Sequence, residues 1–258
     1  MTTETITMKD IKTIDTIAIG KFANCIREFF LKNDFYEVAL FDTIKYSVTN
    51  TDQIKTSTGE FLRNTTEPDI WQLGLDHDKF FCVTSLFRNE DTNSLLHKNE
   101  FKVVDFYIKN SSEEETLNTF FSALEYLEQE LNLPELSKLK LHSSDFEDFK
   151  FRDFNSYVNS IFKVENYPIE ESFYDVIDDI TGKSKKGELF FIGNESPIEF
   201  SVFGQVDENK NPNNKIDNFK FKNPNIKSLN LYGMCLGIER TIFCYENLKH
   251  SAYDEPHN

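Results

Sequence analysis

Two short stretches of the chain carry side chains whose types and spacing suit chemistry on an anion. The first is Phe87-Arg88-Asn89-Glu90, followed by the polar stretch Asp91 to Asn99 that holds His97, then Glu100-Phe101 and a run to Ile108. If both runs are strands, residues two apart share a face. Arg88 then points with Glu90, and Phe101 with Asp105 and Tyr107, while Val104, Phe106 and Ile108 turn away. A face carrying Arg, Glu, Asp and Tyr beside an aromatic ring is costly to bury unless a polar ligand occupies it. For Arg88 and Glu90 the alternative is a surface ion pair on a hairpin. The second stretch is Gly233-Met234-Cys235-Leu236-Gly237-Ile238-Glu239-Arg240, where a strand meets a helix through glycines that allow close backbone approach. Arg240 falls in the first turns of that helix, where a lone cation is unfavourable. An anionic ligand or an acidic partner is therefore expected beside it, and a salt bridge to a neighbouring strand would serve equally.

The elements that must position these groups follow from apolar spacing. From Thr16, the residues Ile19, Phe22, Ile26, Phe29 and Phe30 recur at helical intervals until Lys32-Asn33-Asp34 breaks the pattern, and a strand is expected at Phe35 to Phe41. Between Phe61 and Leu75 the periodicity is poor. Lys79 to Arg88 and Phe101 to Ile108 read as two β-runs, a hairpin with a long loop. Glu113 to Leu131 is the clearest helix, with Leu117, Phe120, Phe121, Leu124, Leu127 and Leu131 on one face, ending before Pro134. Ser143 to Lys186 mixes short amphipathic pieces, Lys183 to Gly187 reads as a loop, and Glu188 to Ile192 as a strand. Beyond the Asn-, Lys- and Pro-rich stretch Asp207 to Asn225, a strand is expected at Leu229 to Tyr232 and a helix at Leu236 to Leu248.

Composition bounds the rest. The 258 residues, 39% hydrophobic and with 26 phenylalanines, suffice for one sizeable core, and a single domain is expected. With 44 acidic against 28 basic residues the net charge is -16, a field that repels polyphosphate backbones and disfavours nucleic acid as a partner. Cys25, Cys82, Cys235 and Cys244 form no CxxC pair and no histidine stands at ligand spacing from them, so reduced thiols are expected rather than a zinc site. Met1 to Ile14 has no apolar run, and a cytoplasmic location without membrane contact is expected.

In order and chemistry these stretches resemble the three motifs of class II aminoacyl-tRNA synthetases, most closely the aspartyl, asparaginyl and lysyl branch. Ile26-Arg27-Glu28-Phe29-Phe30 with Phe35-Tyr36-Glu37-Val38 is similar to motif 1, Phe87 to Glu90 with His97 and Phe101 to motif 2, and Gly233 to Arg240 to motif 3. Leu62-Arg63-Asn64-Thr65-Thr66-Glu67 resembles the segment lining the amino-acid pocket. The resemblance implies an α+β fold with an antiparallel sheet flanked by helices, and a two-fold dimer. It implies an ATP- and magnesium-dependent ligase that forms an aminoacyl-adenylate. Arg88 and Arg240 would be catalytic, Arg88 holding both the α-phosphate and the substrate carboxylate. Glu90 would read the adenine amino group. Phe101 and Arg240 would sandwich the ring beside Gly237, and His97 would touch the γ-phosphate, a solvated loop histidine being its alternative. Thr65, Glu67, Asp105 and Tyr107 would bind the amino acid, although Glu67 before Pro68 also reads as an exposed turn residue.

The match departs from the family where Leu40-Phe41 replaces the usual proline and Cys235 the usual glycine. Before motif 3, Glu199 is the best acidic candidate for a magnesium ligand, an alignment with Pro197 in an upstream loop being equally good. With motif 1 close to the start and nothing resembling an anticodon-binding or other RNA-reading module, the expectation is a stand-alone core. It would pass its aminoacyl group to a protein or small molecule rather than to tRNA. A silent regulatory binder of amino acids and a minimal tRNA-charging enzyme are the alternatives.

Overall fold

The phenylalanines of the first helix mark where the core forms. In the computed structural model, which describes residues 16–48, 53–74, 76–89, 98–171, 176–194, 196–206, 216–217 and 230–253, α1 spans Thr16–Lys32 and buries Phe22, Ile26, Phe29 and Phe30 along one stripe. The strands β1 (Tyr36–Glu37), β2 (Thr43–Ile44), β3 (Ser47–Val48) and β4 (Phe61–Leu62) are short, and α2 covers Glu67–Gly74. Then come the long strands β5 (Lys79–Phe87) and β6 (Glu100–Lys109), and α3 (Glu113–Leu131). β7 (Leu141–Asp145), α4 (Phe146–Lys150), β8 (Ser160–Glu165), β9 (Lys186–Ile192), β10 (Pro197–Val206), β11 (Ile216–Asp217), β12 (Leu231–Gly237) and α5 (Ile238–Tyr253) complete the order.

Among the described residues, eight strands form one sheet in the order β1-β5-β6-β12-β10-β9-β8-β7. Every pair from β5 to β8 is antiparallel, and a parallel strand closes each edge, β1 on β5 and β7 on β8. The expected antiparallel sheet with flanking helices is thus present, with these parallel edges added. α1, α3 and α5 cover one face. There the Phe30 ring stacks on Phe81 with centroids 5.0 Å apart and meets Phe35 and Phe106, while Val104 and Ile108 of β6 join the same cluster. The opposite face, carrying Phe80, Cys82 and Tyr107, packs against Ile70 of α2 and against Val38, Leu40 and Tyr46.

Local chemistry explains the ends. Ser112 caps α3 by accepting from the Glu115 N–H at 3.2 Å, three glutamates fill the first turn, and Asn132 ends the helix at φ 51. Some boundaries differ from the sequence reading. The strand expected at Phe35 to Phe41 is regular only at Tyr36–Glu37. The last strand runs through to Gly237, because β12 is hydrogen-bonded on both sides, to β6 and β10. α5 therefore begins at Ile238 rather than Leu236. The phenylalanines of α1 are spent inside the chain. Ile17 and Leu31 of α1, Tyr36 of β1 and Phe41 are exposed, the last at 83%.

Candidate active site

The uncovered face of the sheet carries the motif residues because strand register stacks them in rows. Opposite Cys82 stands Asp105, beside it Cys235, then Val202 and Glu188, one row across five strands. The next row runs Phe80, Tyr107, Gly233, Gly204 and Lys186. Gly233 is a glycine for a plain reason: a Cβ there would lie 2.2 Å from Cε1 of Tyr107, whose ring lies across it. Toward the other end of the sheet Phe101 stands opposite Leu86, and the Arg88 N–H donates to the Asn99 carbonyl at 2.9 Å, carrying Arg88 just past the end of β5 on the same face.

Two cavities open on this face. One of about 120 Å³ is lined by Arg88, Lys98, Phe101, Glu199, Gly237 and Arg240. The other, of about 280 Å³, is lined by Thr65, Glu67, Arg88, Asp105, Tyr107 and Glu188 among others. Arg88, Glu199 and Cys235 line both, so the cavities meet at these residues. The residues read from the sequence as nucleotide-binding and those read as amino-acid-binding thus separate into two adjoining spaces with Arg88 between them. Glu90 and His97 lie outside the described residues.

Arg88 places its Cζ 5.2 Å from the Phe101 ring centre, and its Nε is buried with no hydrogen-bond partner among the described residues. Arg240, in the first turn of α5, faces Glu199 with Nη1 at 3.2 Å from both the carboxylate and the main-chain carbonyl, the acidic partner expected of a cation at that helix end. Glu239 beside it accepts the Lys102 N–H, tying α5 to β6.

In the larger cavity Asp105 is 1% exposed. One oxygen accepts from the Thr66 hydroxyl and, at 3.4 Å, from Tyr107, while the other, Oδ1, is buried with no partner among the described residues. Burial first and the Glu67 charge second push its carboxyl well above the usual range, with the hydroxyl donors opposing. A buried carboxylate oxygen with no donor in a cavity is suited to a ligand N–H. Cys235, half-buried between Asp105 and Val202, has its thiol pushed up by burial and by the charges of Asp105 and Glu67, so it stays protonated.

Several site residues have no individual role in the sequence reading. Arg63 is 2% exposed and pairs with Asp69 at 2.7 Å, with its Nε donating to the Phe41 carbonyl at 2.6 Å. The Phe87 N–H donates to the Arg63 carbonyl, so this buried cation pins the Thr65-Thr66 wall to β5. Thr66, rather than its neighbour Thr65, reaches Asp105. Lys186 and Glu188 were hidden by Gly187, read as a loop residue. It lies within β9 because a Cβ there would come 2.2 Å from the Phe203 ring. Pro197 is the first residue of β10, where its missing N–H costs nothing, and the register slips between Glu199 and Ser201. That bulge turns both Glu199 and Val202 toward the cavities, which strict alternation would place on opposite faces.

No family profile and no curated protein matches the chain. Solved structures do. Asparaginyl-tRNA synthetase from Pyrococcus horikoshii, complexed with asparaginyl-adenylate, superposes with TM-score 0.71 at 16% identity over 92% of this chain and 67% of that one. The Entamoeba histolytica asparaginyl-tRNA synthetase, with and without asparaginyl-adenylate, gives 0.66 at 12% identity over 89% of this chain and 63% of that one. The fold is that of a class II aminoacyl-tRNA synthetase catalytic domain. At these identities the likeness is one of fold, and the chain spans about two thirds of the length of these synthetases. Among the described residues no helix is long and apolar enough to cross a membrane, and no cluster of three or more His, Cys, Asp or Glu is arranged to hold a metal.

The fold family implies magnesium with ATP. Glu188 and Glu199 face one cavity, and the Glu188 charge helps burial raise the Glu199 carboxyl. Three of their four oxygens already face a partner, however. Glu188 accepts from Lys186 and Tyr167, and Glu199 faces Arg240. This donor set does not fit a protein-held magnesium ion.

Proposed function

We propose that the chain binds ATP and an amino acid, joins them as an aminoacyl-adenylate, and passes the aminoacyl group to a protein or small-molecule nucleophile rather than to tRNA. The observation that carries this reading is Arg88 at the meeting point of the two cavities, its Nε buried without a partner among the described residues. In the reaction an oxygen of the amino-acid carboxylate attacks the α-phosphorus, the bond to the bridging oxygen breaks, and pyrophosphate leaves with that electron pair. Two anions must approach each other, and a planar guanidinium between them neutralises and aligns both. Phe101 offers an aromatic face to the adenine and Arg240 a second planar face in the same cavity. Asp105 and Glu67 accept the α-ammonium group. Magnesium would enter as the chelate of ATP.

The net charge of -16 supports the non-tRNA acceptor, since charging needs many phosphate contacts. ATP–pyrophosphate exchange with each amino acid in turn is expected to reveal one that supports exchange. Total tRNA is expected neither to accelerate turnover nor to become acylated. Amino-acid binding without exchange would favour a silent binder. Submicromolar tRNA binding at low salt, followed by acid-stable aminoacylation, would favour a tRNA-charging enzyme.

A two-fold dimer belongs to the same proposal, with the exposed Leu31, Tyr36 and Phe41 as its apolar face. Sedimentation equilibrium at micromolar concentration is expected to give twice the 30.2 kDa chain mass. A monomer alone would remove the dimer and leave the site untouched.

A further inference from the structure

Lys186 and Glu188 stand two residues apart on β9 and face the larger cavity together. Nζ of Lys186 lies 2.7 Å from Oε1 of Glu188, and both side chains are only about an eighth exposed, at 13% and 12%. The second oxygen, Oε2, accepts from the hydroxyl of the buried Tyr167 at 2.6 Å. Lys186 is held in turn, its ammonium 4.7 Å over the Tyr167 ring and 3.4 Å from the Glu171 carbonyl. Across the sheet Glu199 shares the cavity and is met by Arg240. Of the four carboxylates that line this cavity, Glu188 and Glu199 are therefore each met by a covalently attached cation. Magnesium binds carboxylates only at close octahedral distances and gives up its waters reluctantly, whereas a desolvated ion pair with its remaining oxygen satisfied is expensive to break.

From this arrangement we infer that Lys186 is a tethered cation that occupies the Glu188 carboxylate in place of a protein-held metal ion. The Glu188 carboxylate then stays neutralised whatever the free magnesium concentration, and metal arrives only on the nucleotide. The inference rests on the proposed function only in placing the nucleotide phosphates nearby. Removing Lys186 is expected to unmask Glu188 and Glu199 as a metal-binding pair.

The test uses the full chain and Mn²⁺ alone, followed by the electron paramagnetic resonance signal of the free ion, without ATP or amino acid. Wild-type protein is expected to bind no stoichiometric Mn²⁺ up to about 1 mM, a range in which an exposed carboxylate cluster would begin to take up a divalent ion. Lys186→Met is expected to bind one ion per chain, and adding Glu188→Gln to remove it. Should Lys186→Met fail to fold, Lys186→Gln, which leaves a polar head beside Glu188, takes its place. Stoichiometric Mn²⁺ on the wild type that Glu188→Gln abolishes would overturn the inference. So would a folded Lys186 variant that binds none. Because no nucleotide is present, a failure here is distinct from a failure of pyrophosphate exchange.

Discussion

Replacing Arg88 by alanine is expected to lower kcat/KM for pyrophosphate exchange by at least about 10³-fold, the scale on which loss of a preorganised charge at a transition state is felt. The guanidinium lines both cavities, and its position is fixed from two sides. The backbone is held by the Arg88 N–H to Asn99 carbonyl bond, and the side chain lies against the Phe101 ring. Among the described residues no other cation lines both cavities. Arg88→Lys should recover little, because an ammonium cannot bridge two anions with a planar fork. Arg88 stands at the end of β5 and makes no ion pair among the described residues, so the variant should fold normally. Circular dichroism and the thermal midpoint check that. Near-native exchange in a folded Arg88→Ala protein would show that the motif has been assigned to the wrong chemistry.

The second large effect concerns the amino acid. Asp105→Asn is expected to raise KM for the amino acid about 10²-fold while leaving KM for ATP nearly unchanged, because truncating a charged partner of a buried ligand charge costs a few kcal/mol. Asparagine keeps the shape and an acceptor for the Thr66 hydroxyl, so the wall of the cavity should survive. The sign of the pH dependence follows from the raised Asp105 carboxyl. An ammonium ligand favours the ionised form, so wild-type affinity should rise as pH climbs through the raised folded pKa, and Asp105→Asn should flatten the profile. Folding stability runs the other way. A carboxyl raised in the fold contributes stability that is fully present below its unfolded pKa of about 3.9 and is lost as pH rises through the folded value. At neutral pH the asparagine variant should therefore unfold at higher urea than wild type. An unchanged amino-acid KM would remove Asp105 from the ammonium site.

Much of this site was legible because β5 and β6 keep strict two-residue alternation. Val104, Phe106 and Ile108 go to the helix side, and Phe101, Asp105 and Tyr107 to the open side. Glu113–Leu131 was equally plain, its cap, acidic first turn and apolar stripe all agreeing. Alternation failed where the backbone departs from it. The bulge between Glu199 and Ser201 reverses parity within β10, and Gly187 looks like a loop in one dimension although it makes room for Phe203 in three. β7 and β8 were missed because aromatic clustering, with Phe149, Phe154 and Tyr157 around Phe162, holds that region together rather than a periodic stripe. Arg63 carries no local signal, since its partners Phe41 and Asp69 become neighbours only in the fold.

On the proposed function, the two cavities meeting at Arg88 form one site for a joined nucleotide and amino acid. Titration calorimetry with non-hydrolysable aminoacyl-sulfamoyl adenosines, set against AMP and the free amino acids, tests it most directly. One such analogue is expected to bind at least about 10³-fold more tightly than either half, since linking the halves removes the cost of bringing them together. That gain should vanish in Arg88→Ala. If every aminoacyl-sulfamoyl adenosine bound no better than AMP, the two cavities would not be halves of one adenylate site.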